Sequence, residues 1–266
     1  MSFLKKSFEL RGSFDKKTTT KISIIGLVVM LLLWEAIAKM NGSISQLLPA
    51  PSEVVLAVPQ LFTEKNITTD IYLSVERNFM GYFKAIAYAL PIGFLIGLIP
   101  ICRALFYRYI DAIRFLPLAA TTGIFILWYG IGEEVKVNFL AFSIFVYLLP
   151  IVIQRIDEID SVYIQTAKTM GASKWQIIRT IFIPAVFSKL FDDIRVMVAI
   201  SWTYIVIAEL INATGGLGHK IQILARQSNT EGVFAVLIII ILLGVIQDFI
   251  FKMLDKIFFK HKHVLK

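Results

Sequence analysis

The sequence carries little equipment for chemistry. Its single cysteine, Cys102, excludes an internal disulfide and any cysteine-built metal site. Its three histidines, His219, His261 and His263, are scattered or in the tail, so no ligand set is spaced for a metal. No G-x-x-x-x-G-K-[ST] phosphate loop occurs, so the chain is not itself an ATPase of that kind, and no cofactor is expected. Charge is also scarce, at 17% of residues against about 25% in an average soluble domain. The apolar runs hold no series of acidic residues such as a proton-coupled carrier needs. They also hold no His/Asp/Glu constellation that would suit a membrane-embedded enzyme.

What is abundant is apolar. Of 266 residues, 57% are hydrophobic, and the mean hydropathy is +0.74. That composition implies an all-α integral membrane protein with several spans, each needing ~20 residues. The net charge of +8 would suggest nucleic acid or anionic surfaces in a soluble protein. Here the basic residues are confined to short loops and ends, so they are read as orientation signals, with no nucleic-acid partner.

Taken in order, residues 1–21 form a basic tail and 22–38 a first membrane helix. A charged start followed by an apolar run also fits a cleaved signal peptide. The long tail, the Trp34-Glu35 interruption and the later spans favour an uncleaved helix. Residues 39–69 form an extracytoplasmic loop. Within it LPAPSEV (48–54) is turn chemistry, with Ser52 placed to start a short surface helix over 53–63. Residues 70–251 form the core, and 252–266 a second basic tail.

The next helix begins near Asp70 and spans 80–101, with Gly93 and Gly97 spaced for a close helix approach. A loop follows at 102–114. The third span, 115–131, contains Pro117, Thr121, Thr122 and Gly123, groups that kink a helix or bring hydroxyls to membrane depth. The fourth span is 137–154, the fifth 194–211 and the sixth 233–251. The glycine cluster Gly215-Gly216-Leu217-Gly218 lies in a loop at 212–232. It is no nucleotide fingerprint, since no strand precedes it. With both ends inside, the inner segments hold 19 Lys and Arg and the outer segments 6. This positive-inside bias puts both termini and the loop 155–189 in the cytoplasm.

That loop is the most structured polar stretch. Asp160 or Ser161 can cap a first helix, which would run to about Met170. Gly171 would end it in a left-handed conformation. Ser173 and Gln176 have capping-box spacing for a second short helix, and Pro184 marks that helix's end. The stretch resembles the coupling loop of ABC importer permeases, which runs E-A-A, three residues, G, nine residues, I, one residue, L-P. Gln165, Thr166 and Ala167 stand at the E-A-A positions, Gly171 and Ala172 follow, and Ile181 and Pro184 close the pattern.

The segments LPAPSEV (48–54), SVERNFMGY (74–82), FILWYGIGE (125–133), IVIAELI (205–211) and GGLGHKI (215–221) stand in the same family's order. Together they resemble the permeases of the nitrate/sulfonate/taurine/bicarbonate branch. The resemblance implies a type I importer fold, a five-helix core preceded by one extra helix. It implies two permease chains, two ATPase subunits and an extracytoplasmic solute-binding protein, with the first elbow helix docked in a groove on the ATPase. The chain departs from the pattern at Gln165 and before FILWYG, where Phe115, Leu118, Thr121 and Gly123 replace a Pro-rich, Trp-containing stretch.

The expected function is therefore a membrane permease forming the pathway for a small solute, a sulfonate, nitrate, taurine or similar anion. Transport of a vitamin or vitamin precursor is the alternative, and a self-sufficient secondary carrier a further one, although no inverted repeat is visible. Thr121, Thr122 and Glu209 are the candidate pathway residues. Each also has a plainer reading, helix packing for the threonines and a paired interfacial carboxylate for Glu209.

Overall fold

The computed structural model describes residues 12, 14–40, 47–63, 65–211 and 215–259, and every regular element among them is helical. Helix α1 is Lys16–Met40, α2 Pro51–Thr63 and α3 Ile67–Leu98. Helix α4 is Pro100–Ile113, followed by a 3-10 turn at Leu118–Thr121 and α5 at Thr122–Tyr129. Helix α6 is Glu133–Asp157. Then come α7 (Ser161–Thr169), α8 (Lys174–Ile177), a π turn (Ile178–Phe182) and α9 (Ile183–Leu210). Helices α10 (Leu217–Arg226) and α11 (Thr230–Phe258) close the described chain.

The core is built on α3 and α6, and glycine decides how they meet. A Cβ on Gly93 would lie 2.5 Å from Val152, one on Gly97 2.6 Å from Ile156, and one on Gly81 2.7 Å from Leu140. The two expected glycines therefore do admit a second helix, and Gly81 extends the seam. Each pair is separated by the same 59 positions, so α3 and α6 run parallel. The chain must then return across the bundle between them.

That return is α4 plus Leu118–Tyr129, two apolar pieces bent by 100°. It is one broken crossing, and it starts at Pro100, well before the kinked third span expected over 115–131. Pro117 causes the break, because the residue before a proline is driven out of the helical region. The loop expected at 102–114 is instead helical. Pro100 sits at the first turn with its φ pre-set, and Ile99 before it is extended, which also ends α3 at Leu98.

Among the described residues, four to five crossings follow from length and composition. Helices α1, α3, α6 and α11 are each long and apolar enough to span, and the bent pair makes a fifth. Helix α9 has 28 residues, about 42 Å at 1.5 Å each. Its charges keep it from reading as a plain apolar span, and three of them are paired with charges on other helices. Asp193 meets Arg155 at 2.6 Å, Arg195 meets Asp248 at 3.0 Å and Glu209 meets Arg77 at 3.0 Å.

Other boundaries move outward from the expected ones. Helix α9 begins at Ile183 rather than 194, and α11 runs over Thr230–Phe258, its first turn capped by the Asn229 side chain on the Gly232 amide at 2.7 Å. Ser52 is not a cap. It donates through its amide and hydroxyl to Glu35 at 3.1 and 2.8 Å and ties α2 to α1, while Glu53 accepts from the Ala50 amide at 2.8 Å. Most of the first basic tail, His261 and His263 lie outside the described residues.

Candidate functional site: an exposed elbow and a buried knot

Two polar clusters lie at opposite ends of α6 and α9. The first is the elbow between Asp157 and Ile183. Asp160 is the N-cap of α7, accepting from the Val162 amide at 2.9 Å. The helix ends in a paired bond pattern. The Ala172 amide reaches back to the Ala167 carbonyl and the Gly171 amide to the Lys168 carbonyl, both at 2.9 Å. This double closure needs a left-handed residue at the corner, and Gly171 has φ +83°. A Cβ there would meet nothing within 4 Å, so glycine is required for its backbone and not for space. The capping box is present in both directions, with Gln176 accepting from the Ser173 amide at 2.7 Å and Ser173 Oγ from the Gln176 amide at 3.3 Å.

Pro184 does not end the second elbow helix. It lies in the first turn of α9, and the chain runs into it through a π turn in which the Ile183 amide bonds to the Ile178 carbonyl. Proline offers no N–H and crowds the carbonyl four residues back, and the wider turn absorbs both effects. The elbow therefore continues without a break into α9.

Its base is clamped by charge. Arg155 on α6 grips Asp193 on α9 through Nε and Nη2 at 2.6 and 2.7 Å, and its Nη1 reaches both oxygens of Glu158 at 2.8 and 2.7 Å. Lys189 adds a contact to Glu158 at 3.2 Å, and Arg103 on α4 pairs with Asp157. The Arg155 guanidinium, helped by Lys189, holds the Glu158 carboxyl below its ordinary value. Forked Arg–carboxylate pairs fix orientation as well as distance.

Above this base the elbow is bare. No residue of α7 is buried. Gln165 and Thr166 are exposed and Ala167 is half-buried. Val162, Tyr163, Met170 and Trp175 present large apolar surface. A groove of about 650 Å³ runs beside them, lined by Ile159, Asp160, Tyr163, Ile181 and Pro184.

The second cluster is a knot of buried charge that joins α3, α6, α9 and α10. Arg77 donates to Glu133 at 2.6 and 2.8 Å, to Glu209 at 3.0 Å and to the Gly215 carbonyl at 2.8 Å. Glu209, with no exposed surface, also accepts from Ser74 at 2.7 Å and from the Gly218 amide at 2.8 Å. Asp70 accepts from the Gly216 amide and pairs with Lys220, each at 2.8 Å. Ser74 Oγ accepts from the Leu217 amide at 2.8 Å. Side chains of α3 and α9 thus take up three free amides at the start of α10.

The glycine cluster is therefore part of a helix start, not of a plain loop. At Gly216, φ is +108° and a Cβ would strike the Glu209 carboxyl. Of the candidate pathway residues, Glu209 lies in the knot. Thr121 and Thr122 donate to the carbonyls of Leu118 and Ala119 at 2.7 and 3.0 Å, within the turn that opens the second half of the third crossing. Asp70, Ser74, Arg77 and Glu133 are the polar partners that sequence reasoning did not single out. Ser74, Arg77 and Glu133 fall within the quoted segments SVERNFMGY and FILWYGIGE, which were the available signal.

A helical bundle of apolar spans with a broken third crossing and a bare apolar elbow has the build of a membrane transport subunit. Residues 89–260, well over half the chain, match the family described as binding-protein-dependent transport system inner membrane component, and the chain belongs to that family. It is a multi-pass inner-membrane subunit of an ABC importer, which implies ATPase and solute-binding partners.

Among its relatives is the taurine transport system permease protein TauC of Escherichia coli, 26% identical over 90% of this chain and 88% of that protein. The formylaminopyrimidine transport permease protein ThiX of Halalkalibacterium halodurans is 27% identical over 86% of this chain and 91% of its own. In solved structures, the permease of the MetNI methionine ABC transporter in inward-facing conformations superposes with a TM-score of 0.61 at 18% identity. That match covers 74% of this chain and 97% of the other. It carries the type I importer fold.

Proposed function

We propose that the chain works as a homodimeric permease that carries a small solute, with both termini and the elbow on the cytoplasmic side. The observation that carries this reading is the elbow itself, a rigid corner clamped to α6 and α9 with its apolar side chains left open. An ATPase that grips Val162, Tyr163, Met170 and Trp175 would move two crossings together. The residues that make the corner, Ala167, Gly171 and Ala172, lie where the coupling-loop pattern has them, and Gln165 and Thr166 sit on its outer surface. A partner shifts an access equilibrium only through contacts that differ between the two states, and a stiff lever delivers such contacts.

For the solute we favour a small anion. The identities to taurine and formylaminopyrimidine permeases are nearly equal, so a vitamin precursor is the second reading, supported by the extent of the latter match. The test is uptake into proteoliposomes that hold the permease, ATPase and binding protein, screened with taurine, nitrate, a short alkanesulfonate and formylaminopyrimidine. ATP-dependent uptake of one anion supports the reading. Uptake of the pyrimidine alone would replace it with the second, and uphill transport by the permease without ATPase would end both.

A further inference from the structure

Charged groups inside the bundle are matched almost throughout, as the pairs of Arg77, Lys136, Arg155 and Arg195 illustrate. Lys84 is different. It lies two turns beyond Arg77 on α3, opposite Asn138, the sixth residue of α6, and so about 8 Å in from that helix's start. Among the described residues no carboxylate lies within 4.0 Å of it. Its Nζ donates to Asn138 Oδ1 on α6 at 3.1 Å. A lysine head facing lipid at this depth is costly, so ionisable residues in spans face water, a partner or a pathway.

Asn138 also lines a cleft of about 310 Å³ between α3, α5 and α6. Tyr88, one turn beyond Lys84, walls it together with Phe125, Trp128, Tyr129 and Phe142. Phe125 anchors that wall, with ring centroids 5.4 Å from Phe142 and 5.7 Å from Trp128. The cleft is open, with Tyr88 60% and Trp128 70% exposed. An exposed aromatic face alone would suit lipid, but an unpaired ammonium at its edge does not.

The donors are in surplus. The ammonium has three N–H groups and gives one to Asn138. The amide N–H groups of Asn138 have no acceptor among the described residues. Several donors with a single positive charge match an oxyanion that carries one negative charge. Aromatic faces beside them suit a compact, weakly hydrated body, and the second half of the broken crossing supplies three of them, Phe125, Trp128 and Tyr129.

We infer that Lys84 and Asn138 form an anion-binding station inside the translocation pathway, taking a small monoanion with a nitrate, sulfonate or carboxylate group. The inference rests on the permease reading above and narrows its substrate class.

Two measurements on the full importer in proteoliposomes test it. The first is cysteine accessibility during ATP turnover, using Lys84→Cys in a Cys102→Ser background. Reaction with a negatively charged methanethiosulfonate is expected. Reaction with only a lipid-soluble maleimide would put Lys84 in lipid and overturn the station.

The second is uptake of nitrate, ethanesulfonate, acetate and formylaminopyrimidine. Lys84→Met lowers uptake of the transported anion at least about tenfold, the size expected for one lost hydrogen bond to a charged group. Lys84→Arg keeps it within about threefold, because the charge and donors remain. Both variants are compared at equal amounts of permease copurified with ATPase. Anion uptake by Lys84→Met equal to wild type overturns the station while leaving the permease reading intact, and so does Lys84→Arg falling as far as Lys84→Met. A wild-type importer that moves only the neutral pyrimidine overturns the anion reading itself.

Discussion

The two ends of the α6–α9 pair solve the problem of polar groups in opposite ways. At the knot, Arg77, Glu209, Ser74 and Asp70 are buried and satisfy one another and the first amides of α10. At the elbow, the polar groups are exposed and satisfied within a few residues, and the large side chains stay open. Buried charge whose partners come from four helices holds a single arrangement, since removing any member strands the others. A locally closed corner holds its own shape and leaves its surface for something else. One end is a fixed point and the other a handle.

The largest break in this contrast is Arg77→Ala. It leaves the buried Glu209 without its cation, removes one of the cations on Glu133 and costs about 3–5 kcal/mol, read as loss of folded protein and a lower melting temperature. Glu209→Gln comes next. As the centre of a fixed point, it lowers folded yield and uptake together. Uptake lost at full yield would mean that Glu209 meets the solute instead.

A matched pair of glycines sharpens the comparison. Gly216→Ala meets both a left-handed φ and the Glu209 carboxyl, and costs roughly 2–5 kcal/mol. Gly171→Ala meets the φ alone, in open space, and costs roughly 1–2 kcal/mol. Thermal unfolding of the two variants side by side measures the gap, and equal losses would erase the distinction between the ends.

The smallest effect is one of pH on the elbow clamp. Glu158 has its carboxyl held below 4.5, chiefly by Arg155. A carboxylate depressed in the folded state stabilises it above the unfolded value and loses that contribution as pH falls through the folded one. The stability difference between wild type and Glu158→Gln is therefore flat from pH 6 to 8 and shrinks on acidification below about 4.5.

Much of the elbow was legible in the sequence, because its determinants are local. A cap, a left-handed glycine and a capping box act over two to five residues, and each lies where spacing put it. Gly93 and Gly97 were legible for a similar reason, since small residues four apart make a groove whatever fills it. The knot was not, because Arg77 and Glu209 are 132 positions apart and pairing of that range leaves no periodicity.

Pro184 misled because a π turn lets a helix pass through a proline that would otherwise end it. Pro117 gave notice of a kink in the third crossing, but its first half over Pro100–Ile113 was read as a loop because Arg103, Arg108, Asp111 and Arg114 interrupt its apolar residues. The parallel register of α3 and α6 was needed to see that the chain must cross there.

The central claim is that the elbow works as a stiff handle. It is tested most directly by ATP hydrolysis stimulated by the solute-loaded binding protein, in reconstituted importer carrying Gly171→Val or Gly171→Asn. Asparagine tolerates the left-handed corner and valine does not. The account predicts that valine lowers both stimulated hydrolysis and uptake by roughly tenfold with permease insertion unchanged, while asparagine stays near wild type. Full stimulation and full uptake with valine at position 171 would contradict it.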